Sequence, residues 1–151
     1  MTLDHDFFIL DTAEHSPADY LRFAGRVAEA RLHDDLLWYM GDTLRWVPTV
    51  NPARDEPGFG LNVYGPTVLR ADGAAKAERV LQCWADLFQL GPAELVLTGS
   101  WCEVDGETDS GRYEKLRLDR DETVEAVLAV ASLCGRAARS DGARFVLHCG
   151  I

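Results

Sequence analysis

Apolar and polar positions along the chain recur with two periods, one near two residues and one near 3.6, and each predicts a different element. The short apolar run "DFFILD", residues 6 to 11, fits a buried strand. In "HSPADYLRFAGRVAEARL" Ser16 suits a helix cap, Pro17 the first helical position, and Asp19 the acid of a capping box. Tyr20, Phe23, Ala24, Val27 and Ala28 follow at helical spacing, so a first helix is expected there. "DLLWYMGDTLRWVPTV" reads as two strands turning at Gly41-Asp42, with Leu37 and Tyr39 on one face and Leu36, Trp38 and Met40 on the other.

"NPARDEPGFG" has the prolines, glycines and charges of a loop, and "LNVYGPTVL" is a strand that Pro66 assigns to an edge or a bulge. The stripe Ala77, Val80, Leu81, Trp84, Leu87 and Phe88 predicts a second helix, ended by Gly91-Pro92. "AELVLTGSWCEV" and "GRYEKLRLD" form a hairpin across an acidic loop. Asp119 with Glu122 then starts a third helix, whose Val124, Val127, Leu128, Ala131 and Leu133 require burial. "ARFVLHCGI" is the last strand, and the strand, helix, strand succession from residue 112 predicts a right-handed parallel crossover. The expected fold is α+β, a single mixed sheet with about three helices packed on it, in one globular domain over residues 1–151.

Composition narrows the function. A chain of 151 residues builds a core without needing a metal or disulfide to fold. Its net charge of −10 repels nucleic-acid phosphates and anionic membrane surfaces and attracts basic proteins, although solubility alone would also account for it. The start "MTLDHDFFILDTAEH" lacks the basic and apolar regions of a signal peptide, and no run of 18 apolar residues occurs, so a cytoplasmic location is expected. Cys83, Cys102, Cys134 and Cys149 are dispersed, as small core residues in a reducing compartment would be, and without the close pairs of a zinc site.

"WCEVDGETDSGRYEK" places Glu103, Asp105, Glu107 and Asp109 at alternate positions. A calcium loop begun at Asp105 fails, because Ser110 replaces the turn glycine and Leu116 the bidentate glutamate. The alternatives are a solvated strand edge running into a turn, or an acidic contact surface. His5, His15, His33 and His148 show no metal-ligand spacing or local catalytic partner, and adjacent His148 and Cys149 point to opposite faces of their strand. "TGSW" is not a nucleophile elbow, "GFGLNVYG" precedes a strand rather than a helix, and adjacent Glu114 and Lys115 miss the nuclease spacing. Neither a cofactor nor a metal is expected.

A surface remains. Trp38, Trp46, Trp101 and Tyr113 fall in predicted strands, where aromatics are more often core than interface; exposed beside acids, they would make a protein-binding patch. The candidate partner-binding set is therefore Glu103, Asp105, Glu107, Asp109, Trp101, Tyr113 and Trp38. In size, acidity and layout, carried by "VPTVNPARDEPGFGLNVYGPTV", "AAKAERVLQCWADLFQLGP" and "RFVLHCGI", the chain resembles the small immunity proteins that accompany bacterial polymorphic toxins. That resemblance implies a non-enzymatic role, binding and blocking a toxin domain that is often a basic nuclease. Two alternatives stay open: a small enzyme assembled from His148, Cys102 and the 103 to 109 acids, or an adaptor subunit, which a stable homodimer would mark.

Overall fold

The computed structural model describes residues 3–103 and 110–151. In chain order the elements are β1 (Asp4–Asp11), a 3-10 helix (Pro17–Phe23), β2 (Ala30–His33), the short helices α1 (Asp34–Tyr39) and α2 (Gly41–Leu44), β3 (Pro48–Asn51), β4 (Glu56–Phe59), β5 (Pro66–Leu69), α3 (Ala71–Gln89), β6 (Glu94–Glu103), β7 (Gly111–Asp119), α4 (Arg120–Ala138) and β8 (Arg144–Cys149). The fold is α+β. Six strands form one sheet in the order β2-β1-β8-β5-β3-β4, and β6 and β7 form a separate two-stranded ribbon.

Every pairing in the main sheet is antiparallel. The expected parallel crossover is therefore corrected: among the described residues β7 pairs only with β6, and α4 returns the chain to β8, which lies between β1 and β5. The physical reason is that β1 and β5 already offer edges whose inward residues match β8, as in the pairs Phe8 with Leu147 and Val68 with Leu147.

Alternation along these strands feeds two cores. Phe7, Leu32, Leu69 and Val146 face α3 and α4, which bury Ala77, Leu81, Phe88, Val127, Val130 and Cys134 against them. On the opposite face Phe8, Leu10, Val68, Phe145 and Leu147 are covered by the 3-10 helix through Phe23, whose ring lies 5.3 Å from that of Phe8. Glu78 of α3 and Arg139 beyond α4 close the helix pair with two bonds of 3.0 and 3.1 Å. Gly135 makes that possible, since a Cβ there would stand 2.2 Å from the Glu78 carboxylate.

Four local expectations need correction. The first predicted helix keeps its capping box, with Ser16 and Asp19 each accepting from the other's backbone, but it stays 3-10 and ends at Phe23. Gly25 takes φ +77° and turns the chain away, leaving Val27 exposed. Residues 34 to 44 are two short helices rather than a hairpin: His33 Nδ1 accepts from Asp35 N at 3.2 Å, and Leu36, Leu37, Met40 and Leu44 share the buried side. The predicted loop at 51 to 60 holds β4, which turns back on β3 from Pro48–Phe59 to Asn51–Glu56. Pro66 marks neither an edge nor a bulge: β5 lies inside the sheet between β8 and β3, and Pro66 is its first residue, where its missing donor interrupts nothing.

Candidate functional site

The β6–β7 ribbon carries most of the predicted partner-binding residues. Its base is core: Leu95 and Leu97 of β6 pair in register with Leu118 and Leu116 of β7, and this face packs on the helices. Its outer face presents Val96 and Thr98 opposite Arg117 and Lys115. Strict alternation would send Trp101 to the leucine face. A bulge between Thr98 and Trp101 adds one residue to β6, so Trp101 changes face and meets Tyr113.

The two rings are edge to face with centroids 5.0 Å apart, and they are 55% and 56% exposed. Trp101 also lies over Gly111, where a Cβ would come within 2.1 Å of its ring, so glycine is what lets the indole lie flat on the ribbon. Glu103 is exposed at the end of β6. Asp105, Glu107 and Asp109 lie outside the described residues. The described outer face is not uniformly acidic. Lys115 and Arg117 share it with the aromatics, and Glu94 engages Arg117 in a close ion pair at 2.6 Å.

Trp38 is not a strand residue. It stands on α1, 58% exposed, and lines a depression with Leu37, Gly41, Leu44, Arg45 and Leu61. It thus belongs to a different element and a different hollow from Trp101 and Tyr113. Trp46 follows α2 and is exposed beside α3.

Sequence inspection missed a buried polar chain. His5 and His148 are fully buried, with His5 Nδ1 and His148 Nε2 at 2.8 Å and the rings nearly parallel at 14°. His5 Nε2 lies 2.9 Å from Asp34 Oδ1 in the first turn of α1. The sheet register explains the meeting: His148 stands opposite Phe7, so His5, two residues earlier on the same face of β1, is its diagonal neighbour.

Chemistry then orders the protons. With His5 Nε2–H donating to Asp34 Oδ1, Nδ1 of His5 is left to accept, and His148 Nε2–H donates to it. His148 Nδ1 is then a bare lone pair, and it has no partner among the described residues. Leaving an acceptor unfilled is less costly than burying an unpaired N–H. Burial above all, and then the neighbouring His5, pushes the His148 pKa down to about 3, so the ring is neutral at ordinary pH. The chain ends in packed side chains and touches the surface at Asp34, whose side chain is 15% exposed.

His148 and Cys102 do not meet. The former is in the sheet interior, the latter on the ribbon beside Glu114, whose hydrogen bond and, secondarily, burial and charge raise the thiol pKa and disfavour a nucleophilic thiolate. Cys134 is buried and its pKa is pushed up to about 12 by that burial and by Glu78, while Cys149 is raised by burial and then by Asp6. Among the described residues there is no cluster of three or more His, Cys, Asp or Glu able to hold a metal ion, and no helix long and apolar enough to cross a membrane. Comparison with protein-family models, with curated proteins and with solved structures returned no match.

Proposed function

We propose that this chain is a non-enzymatic protein-binding module, an immunity-type inhibitor that captures a basic toxin domain through the outer end of the β6–β7 ribbon. The observation that carries the reading is the exposed Trp101–Tyr113 pair, held edge to face by a bulge that turns Trp101 away from the core. Large aromatics already fixed in one arrangement lose little conformational freedom on binding, which is why they dominate interface energetics.

Charge supplies the second half. A net charge of −10 speeds encounter with a basic protein, and Glu103, Asp105, Glu107 and Asp109 cluster in sequence next to the aromatic pair. Arg117 is already neutralised by Glu94, so it opposes such a partner little. The same reading puts the site of action in the cytoplasm, where an immunity protein meets its toxin.

Affinity capture from the native host's lysate, at low and near-molar salt, tests the proposal. A single stoichiometric basic protein retained through high salt is the expected result. Trp101→Ala should then weaken binding by about thirtyfold, roughly 2 kcal/mol. Reversing Glu103, Asp105, Glu107 and Asp109 should slow association and flatten its salt dependence. A captured partner indifferent to both sets of changes would reject this surface, and the absence of any specific partner would reject the module reading.

A further inference from the structure

A second exposed apolar surface lies on α3. The helix buries Ala74, Ala77, Leu81, Ala85 and Phe88 on one side, yet Val80, Cys83 and Leu87 lie on another, along an open groove of about 480 Å³ walled almost entirely by carbon. Trp46, 59% exposed, forms the far wall. The floor is rigid, because Trp84 donates its indole N–H to Thr43 Oγ1 at 2.8 Å and meets Tyr39 edge-on at 5.6 Å. Lys76 and Arg79 line the same groove and make no ion pair among the described residues. A basic partner is therefore the wrong occupant. The groove calls for apolar side chains together with a carboxylate.

We propose that this surface joins two copies of the chain, with their α3 helices antiparallel about a two-fold axis near Gln82 and Cys83. At 100° per residue, Asp72, Lys76, Arg79, Cys83, Asp86 and Leu90 follow one outward line, spaced alternately four and three. Val80 and Leu87 flank that line on the Trp46 side, and within it Arg79 and Asp86 lean to the other side. A two-fold axis across the helix keeps each flank facing its own counterpart. Val80, Leu87 and Trp46 then meet their mates as one carbon cluster, while Arg79 of each copy stands against Asp86 of the other. A parallel pairing would set Arg79 against Arg79. The charge order along the helix is thus self-complementary in the antiparallel sense alone, and Cys83 comes beside its own mate.

Sedimentation of the full chain at micromolar concentrations tests the inference. A dimer of twice 16.7 kDa is expected. Leu87→Asp should raise its dissociation constant at least about tenfold, while Trp101→Ala leaves it unchanged. Arg79→Asp should weaken the dimer and Arg79→Asp with Asp86→Arg should restore it, which a merely apolar contact would not do. Mild oxidation should yield a cross-linked dimer that Cys83→Ser abolishes. Because two chains of charge −10 repel each other, added salt should strengthen this dimer. Capture of a basic partner by the ribbon responds to salt in the opposite direction, so either surface can fail without the other. A monomer at every concentration, a dimer indifferent to Leu87→Asp, or a charge swap that does not rescue would overturn the proposal.

Discussion

His148 is a histidine that the fold holds uncharged, and this ties stability to pH. In the unfolded chain its ring titrates near 6.5, whereas burial and His5 hold it at about 3 in the native protein. Between those values the unfolded chain binds the extra proton. Its contribution to stability is therefore complete above about pH 6.5 and is lost as the pH falls toward 3, at no more than about 1.4 kcal/mol per pH unit for one proton. Urea unfolding across that range should show the decline, and His148→Leu should flatten it. An unchanged slope would place the linkage elsewhere. His5→Leu leaves the His148 N–H buried without an acceptor and should cost about 2 to 4 kcal/mol by the same assay. None of this was legible in the sequence. The partners of His5 lie 29 and 143 residues away, and only the sheet register brings them together.

At the scale of elements, the legible parts were those whose signal is local. The α3 stripe, the β6–β7 ribbon and the start of α4 all depend on near neighbours. The Asp119 cap, 2.9 Å from Glu122 N, should be worth about 1 kcal/mol, measurable as the destabilisation caused by Asp119→Ala. Residues 34 to 44 misled because "LLWYM" is large and apolar throughout, so strand and helix periods fit it equally; the tertiary demand to bury Leu36, Leu37, Met40 and Leu44 together decides for helix. The segment after Ser16 has a good cap and good spacing, but Gly25 at φ +77° stops it. The bulge in β6 was invisible for a related reason, since alternation counts residues and a bulge adds one without a signature. Deleting Ser100 should remove the extra residue, so that regular alternation keeps the tryptophan on the outer face opposite Tyr113. Near-ultraviolet circular dichroism should then retain the Trp101–Tyr113 signal while α3 and α4 remain folded, and a lost signal would mean that the shape of the bulge, rather than the residue count, sets the contact.

For the whole molecule, the succession of elements foretold the α+β class, whereas the two cores on opposite faces of the sheet and the sheet topology were beyond reach. Strand partners in a sheet are chosen by matching faces across long separations, and β8 satisfies two strands at once, β1 by six register pairs and β5 by four. The predicted binding residues fared likewise. Trp101, Tyr113 and Glu103 share the ribbon, whereas Trp38 lines a separate hollow on α1. Sequence proximity held the first group together; nothing along the chain could reveal that helix formation carries Trp38 away.

The middle position of β8 also sets a timetable. Without it the two pieces β2–β1 and β5–β3–β4 are not joined, because among the described residues β8 alone hydrogen-bonds to both. During synthesis those pieces emerge early with open edges, and neither can dock until residues 144–149 have cleared the ribosome. Closing contacts as distant in sequence as Phe8 and Leu147 costs chain entropy before any burial compensates, so folding should be slow for a domain of this size and should wait for β8 to emerge. A nascent chain stalled with β8 still in the exit tunnel should remain sensitive to protease across β1, and should become resistant within one step once β8 is released.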